Sequence, residues 1–153
     1  MDYMRLAWLE ARAGIAAGQS PFGACVVRDG VVVAQGHNLV WAETDITAHG
    51  EIVTIRKACR ELGTIDLSGA TLYSTCEPCP MCFAAIHWAR FARLVYGASI
   101  ADAQRAGFNE LTVSNAELRR LGGSQVEIVA GVMQKECALL FGEWLATPGQ
   151  RSY

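Results

Sequence analysis

The sequence has little net charge, few histidines and no long apolar run, and each shortage removes a class of protein. Lysine and arginine number 13 against 15 acidic residues, a formal charge of −2. That balance offers no general attraction to a polyanion, so a nucleic-acid partner is not expected on these grounds. No stretch approaches the roughly 18 apolar residues of a membrane span. The opening Met1-Asp2-Tyr3-Met4-Arg5 also lacks the basic stretch and apolar run of a secretory signal. Both absences point to a cytoplasmic protein without a membrane partner. There is no internal repeat, low-complexity tract or linker, so residues 1–153 read as a single domain. One core of that size buries roughly 70% of the surface of the unfolded chain. An apolar fraction of 52% excludes a disordered chain.

Cysteine is not scarce. Six are present, and three crowd into Cys76-Glu77-Pro78-Cys79-Pro80-Met81-Cys82. Such crowding speaks for metal binding in a reducing compartment rather than for three disulfides. Arg56, Lys57 and Arg60 form the one basic cluster and read as a solvated helix face.

Helical and strand patterns alternate. Met4, Trp8, Ala11 and Ile15 recur at helical spacing after Asp2, a good N-cap, and stop near Gly18. The runs 24–28 and 31–35 are β-branched and flank Asp29-Gly30, which predicts a two-residue hairpin turn. Residues 37–48 are irregular. Helical spacing returns at Ile52, Ile55, Ala58, Cys59 and Leu62 and ends at Gly63, so His49-Gly50-Glu51 falls at a helix N-terminus. Residues 71–76 read as a strand, Pro78 and Pro80 mark a helix start, and 94–96 form a further strand. Short helices at 101–106 and 116–121, a strand at 126–129 and a helix at 132–145 complete the pattern. The alternation predicts a three-layer α/β/α domain with a mixed central sheet.

The chemistry concentrates at two of these helix starts. Cys79 and Cys82, three apart, put both sulfurs on one face, and the positive end of the helix favours their thiolates. Among the three histidines only His49 is followed two positions later by an acid, Glu51. Residues two apart diverge on a helix flank, so His49 and Glu51 can share a site only if the helix end faces it. Three protein ligands with an open fourth position define catalytic zinc, whereas structural sites are closed by four. A His-x-Glu followed by Pro-Cys-x-x-Cys is the signature of zinc nucleobase deaminases, whose acid carries protons and does not bind the metal. The expectation is one zinc ion per chain on His49, Cys79 and Cys82, with Glu51 as proton carrier. Cys76 extends the motif to Cys-x-x-Cys-x-x-Cys, but Ile86 occupies the place where an iron–sulfur cluster needs a fourth cysteine. His87 lies about 80° around the helix from Cys79 and reads as a packed or hydrogen-bonded histidine.

With these motifs on the page, the chain resembles the cytosine/guanine deaminase family over nearly its whole length. The likeness runs through Pro21-Phe22-Gly23-Ala24, Gly36-His37-Asn38, Thr47-Ala48-His49-Gly50-Glu51, Ile55-Arg56-Lys57-Ala58-Cys59 and the cysteine cluster. It implies the cytidine-deaminase-like fold, a homodimer, and hydrolysis of an amino group on a free nucleobase. Guanine is favoured through Ala106-Gly107-Phe108 and Tyr153, with cytosine, guanosine and other aminated heterocycles left open, and a tRNA adenosine deaminase as the nucleic-acid alternative. The resemblance further implies Phe22, Asn38, Trp88, Glu110 and Tyr153 as substrate contacts. Asn38 can donate and accept at once, as a base edge requires, and a Glu110 carboxylate can accept from the ring N–H and amino groups of guanine.

Overall fold

A computed structural model describes residues 2–153. Helix α1 (Tyr3–Ala16) begins where expected, with the Asp2 carboxylate accepting from Arg5 N at 3.1 Å. Strands β1 (Gly23–Arg28) and β2 (Val31–His37) pair antiparallel. The turn between them holds Asp29 and Gly30 at φ 52° and 77°, the left-handed conformation of both central residues in a tight hairpin. A four-residue helix α2 (Val40–Glu43) lies in the segment read as irregular. Then come α3 (Gly50–Leu62), β3 (Thr71–Cys76), α4 (Pro80–Trp88) and β4 (Arg93–Ala98). The chain finishes with α5 (Ile100–Arg105), α6 (Asn115–Gly122), β5 (Glu127–Val129) and α7 (Gln134–Leu145).

The sheet order is β2-β1-β3-β4-β5. The pair β1–β3 is antiparallel, and β3–β4 and β4–β5 are parallel, so the sheet is mixed. Alternate residues of the strands feed two cores. Val26, Leu72 and Leu94 face Ile55 and Ala58 of α3 and Phe83 and Ile86 of α4. Their neighbours Cys25, Val27 and Val95 face Met4 and Ala7 of α1 and Phe141 and Trp144 of α7. This is the three-layer α/β/α sandwich that the alternating pattern predicted. Both faces of the sheet are covered, which is why β1 reads as a continuous apolar run rather than an alternating one. Glycine is required where α1 crosses β1, because a Cβ on Gly23 would stand 2.2 Å from the Ala7 carbonyl oxygen.

Strand direction decides where the site lies. In the antiparallel hairpin Gly23 pairs with His37, so Phe22 enters β1 beside the point where Asn38 leaves β2. In the parallel pair Cys76 stands beside Ala98, so β3 and β4 end together. Because β1 also runs antiparallel to β3, all four points gather at one end of the sheet. Crevices outside the carboxyl ends of parallel strands are where α/β sheets bind ligands.

Candidate active site

His49 and Cys79 are the N-cap residues of α3 and α4, both in extended conformation (φ −62°, ψ 154° and φ −63°, ψ 166°). An N-cap side chain can swing across the end of its helix. That resolves the divergence of His49 from Glu51, since the one caps the helix while the other lies in its first turn. Pro80 sits at the first position of α4, where its missing N–H costs nothing. His49 Nδ1 lies 3.5 Å from Cys79 Sγ and 3.6 Å from Cys82 Sγ, and the three ligand atoms all fall within 4.8 Å of one another. Tetrahedral zinc with bonds of about 2.3 Å to sulfur and 2.0 Å to nitrogen requires sulfur–nitrogen separations of about 3.5 Å. The donor set therefore fits zinc in size as well as in chemistry.

Electrostatics agree with that donor set. A hydrogen bond from Cys82 and the neighbouring His49 hold the Cys79 thiol down, against burial, at about 4. Burial pushes the Cys82 thiol well above its usual range. One thiolate is thus available at neutral pH, and a dication supplies the charge that deprotonates the second. Glu51 is raised, first by burial and then by the negative charge of Cys79, and its Oε1 accepts from Ser74 Oγ at 3.0 Å. A carboxyl pushed upward in a buried cleft is suited to holding and releasing a proton.

Beyond the metal ligands opens a cavity of about 270 Å³, lined by His49, Cys79, Pro80, Asn109, Glu110 and Tyr153, with Ile46, Met81 and Leu111 at its mouth. Behind it a void of about 20 Å³ is bounded by Phe22, Glu51, Glu77, Glu110 and Tyr153. Burial, with the charges of Cys79 and Glu51, raises Glu110 to about 7. Tyr153 packs its ring 5.3 Å from the rings of both His49 and Phe108, and its hydroxyl accepts from Asn38 Nδ2 at 2.6 Å. Asn38 is fully buried, and its Oδ1 accepts from Val40 N at 3.1 Å.

Of the five residues expected at the substrate, Phe22, Glu110 and Tyr153 line the cavity or the void behind it, and the fully buried Asn38 reaches the site through the Tyr153 hydroxyl. Trp88 does not. It is 81% exposed at the far end of α4. A rise of ~1.5 Å per residue puts it roughly 13 Å along the helix from the cap that faces the metal site. Behind the site lies Phe108, buried and edge-on against Phe22 with centroids 4.9 Å apart. His87 is exposed and hydrogen-bonded rather than packed, its Nδ1 3.0 Å from Ser124 Oγ. Arg56 and Lys57 are also accounted for at the surface, the first facing Asp45 at 3.8 Å and the second donating to Gln35 O at 3.0 Å. Ser74, Glu77 and Phe108 complete the site without having been singled out. Glu77 and Phe108 stood inside quoted motifs, the cysteine cluster and Ala106-Gly107-Phe108, whereas Ser74 left no trace.

A mixed sheet covered on both faces, with two helix N-termini presenting one histidine, two cysteines and a buried glutamate, defines a zinc-dependent hydrolytic deaminase. The family profile for the cytidine and deoxycytidylate deaminase zinc-binding region matches residues 1–98, and the chain belongs to that family. It is 46% identical over 109 residues to the guanine deaminase of Bacillus subtilis (strain 168), covering 71% of this chain and 70% of the relative. It is 39% identical over 135 residues to the tRNA-specific adenosine deaminase of the same organism, covering 88% and 81%. A solved guanine deaminase structure from Nitrosomonas europaea superposes with a TM-score of 0.87 at 30% identity, over 95% of this chain and 84% of that one. The expectation against a nucleic-acid partner is overturned by the similarity to the tRNA enzyme. Its premise was the sum of charges over the whole chain, and a sum does not report on the surface around one cleft.

Proposed function

We propose that this protein hydrolyses guanine to xanthine and ammonia. The observation that carries the reading is the Glu110 carboxyl group, which lines the cavity with the metal ligands His49 and Cys79, Asn109 being a further polar group among mostly apolar side chains. Guanine offers a ring N–H beside its amino group, and a carboxylate accepts from both. Adenine and uracil lack that pattern, and unpaired polar groups in a closed site penalise the wrong base strongly. Phe22 borders the inner void beside Glu51, and the buried Asn38 holds the Tyr153 hydroxyl at the cavity wall.

When bound, zinc supplies an activated water at its open position. Glu51 receives the proton of the attacking water as oxygen bonds to the ring carbon that bears the amino group. The same carboxyl returns a proton to the adjacent ring nitrogen and then to the departing amine, so that guanine and water yield xanthine and ammonia. Ser74 Oγ holds Glu51 Oε1, and Oε2 lies 3.5 Å from Cys82 Sγ, beside the metal ligands.

The similarity to a tRNA-specific adenosine deaminase favours a second reading, deamination of an adenosine in RNA. Ammonia release from guanine, cytosine, guanosine and a tRNA anticodon stem-loop separates the two. Guanine is expected to give the highest kcat/KM. Inosine formed in the stem-loop, with binding that weakens steeply in salt, selects the second reading; a preference for cytosine defeats both.

A further inference from the structure

Glu77 belongs neither to the metal ligands nor to the expected substrate contacts, yet it stands between them. It follows Cys76 at the end of β3 and precedes Pro78-Cys79, so its backbone is part of the loop that delivers a metal-binding thiolate. The Glu77 amide donates to Ala98 O at 2.8 Å. Its carboxylate, 9% exposed, backs the inner void and turns to two other elements. Oε2 accepts from Ile100 N at 3.3 Å and Oε1 from Asn115 N at 2.9 Å. These amides open α5 and α6, where unpaired N–H groups and the helix dipole both favour a negative charge. Asn115 closes the arrangement by donating Nδ2 to Pro78 O at 2.6 Å.

The chain between those two amides makes a single excursion, and Phe108, Asn109 and Glu110 lie on it. One side chain therefore ties both ends of the cavity wall to the loop that carries Cys79. Only an acceptor at each oxygen can do this. In glutamine one oxygen becomes an NH2 group, which would point a donor at a backbone N–H.

We propose that Glu77 is a positioning residue that sets the distance between the metal-binding loop and the Glu110 wall of the substrate cavity. The inference rests on the reading of residues 108–110 as a wall against the base.

The test is Glu77→Gln, examined by zinc content, steady-state kinetics on guanine and amide hydrogen exchange. About one zinc per chain is retained. Misplacement of a supporting group by a fraction of an ångström lowers kcat/KM by roughly 10–100-fold, carried mainly by KM. Exchange quickens across residues 100–115 and stays at wild-type rates in α1 and α7. Unchanged exchange across 100–115 overturns the proposal, as does unchanged kcat/KM. Loss of zinc, or faster exchange throughout the molecule, overturns it too, by showing a general structural role. Asn115→Ala removes only the bond to Pro78 O, and a smaller change in the same direction is expected if Glu77→Gln does not fold. Glu110→Ala separates this inference from the reading beneath it. If that variant turns over guanine normally, the wall reading fails, while the exchange pattern of Glu77→Gln still decides the positioning role.

Discussion

Glu51 and the metal ligands are neighbours with different tasks, and single substitutions pull those tasks apart. Glu51→Ala removes a carboxyl group that borders Cys82 Sγ at 3.5 Å but is not one of the three ligands, so the zinc content is expected to stay near one per chain. Turnover should fall by roughly 10²–10⁴-fold, the range over which a positioned proton carrier acts. Cys79→Ala is expected to lose zinc as well as turnover, since it deletes one of three ligands. Metal analysis alongside ammonia release distinguishes the two, and a Glu51→Ala enzyme that kept substantial turnover would remove Glu51 from the mechanism. These residues were legible in the sequence because their spacing is local: His49 and Glu51 share one helix start, and Cys79 and Cys82 another. Ser74 was not. Its bond to Glu51 spans 23 positions, and a serine in a strand carries no mark of what it faces. Trp88 came from the family resemblance alone, although its place at the far end of α4 from Cys79 keeps it away from the site.

Among elements, those with caps or turns of their own were readable and those defined by distant pairing were not. Asp2 opens α1, Asp29-Gly30 closes the first hairpin, and Gly63, at φ 64°, ends α3. Helix α2 has only four residues and no side-chain cap, too short to show a period. The antiparallel join of β1 to β3 follows from no local signal, yet it brings Phe22 and Asn38 to the end of the sheet where Cys76 leads into the metal loop. Residues 150–153 carry no periodic pattern, and in the structure they are a strap. Trp41 Nε1 donates to Arg151 O at 2.9 Å, the Arg151 guanidinium lies 4.0 Å over the Trp41 ring, and Asn109 N donates to Tyr153 O at 2.9 Å. Tyr153→Ala is expected to lower kcat/KM on guanine roughly tenfold with zinc intact, the effect of about one lost buried hydrogen bond and its ring contact. Trp41→Ala loosens the strap without touching the cavity, so a smaller loss of the same kind is expected. Kinetics in which Trp41→Ala is impaired and Tyr153→Ala is not would contradict this order.

At the scale of the whole molecule, zinc is a joint between two helices as well as a reagent. The helices α3 and α4 lie in the same layer and share the core of Ile55, Ala58, Phe83 and Ile86, but their N-termini bring together a thiolate, a second buried thiol and an imidazole. Burial raises the Cys82 thiol, so without a dication that sulfur keeps its proton and the helix ends lose their common partner. The layer formed by α1 and α7 packs on the other face of the sheet and takes no part. A ligand that binds only the folded chain stabilises it by about 4 kcal/mol when free ligand is about a thousandfold above its Kd. In a chain of this length each kcal/mol moves Tm by roughly 2–4 °C, so removal of zinc with a chelator should lower Tm on the order of 10 °C. The loss should also be uneven. Amides at 50–54 and 81–84 should exchange faster before those of α1 and α7 respond, because local opening begins where stabilising contacts are removed. Restoring one equivalent of zinc should reverse both changes. A Tm indifferent to the chelator, with metal removal verified by analysis, would show that packing alone holds the two helix ends in place and would confine zinc to the chemistry.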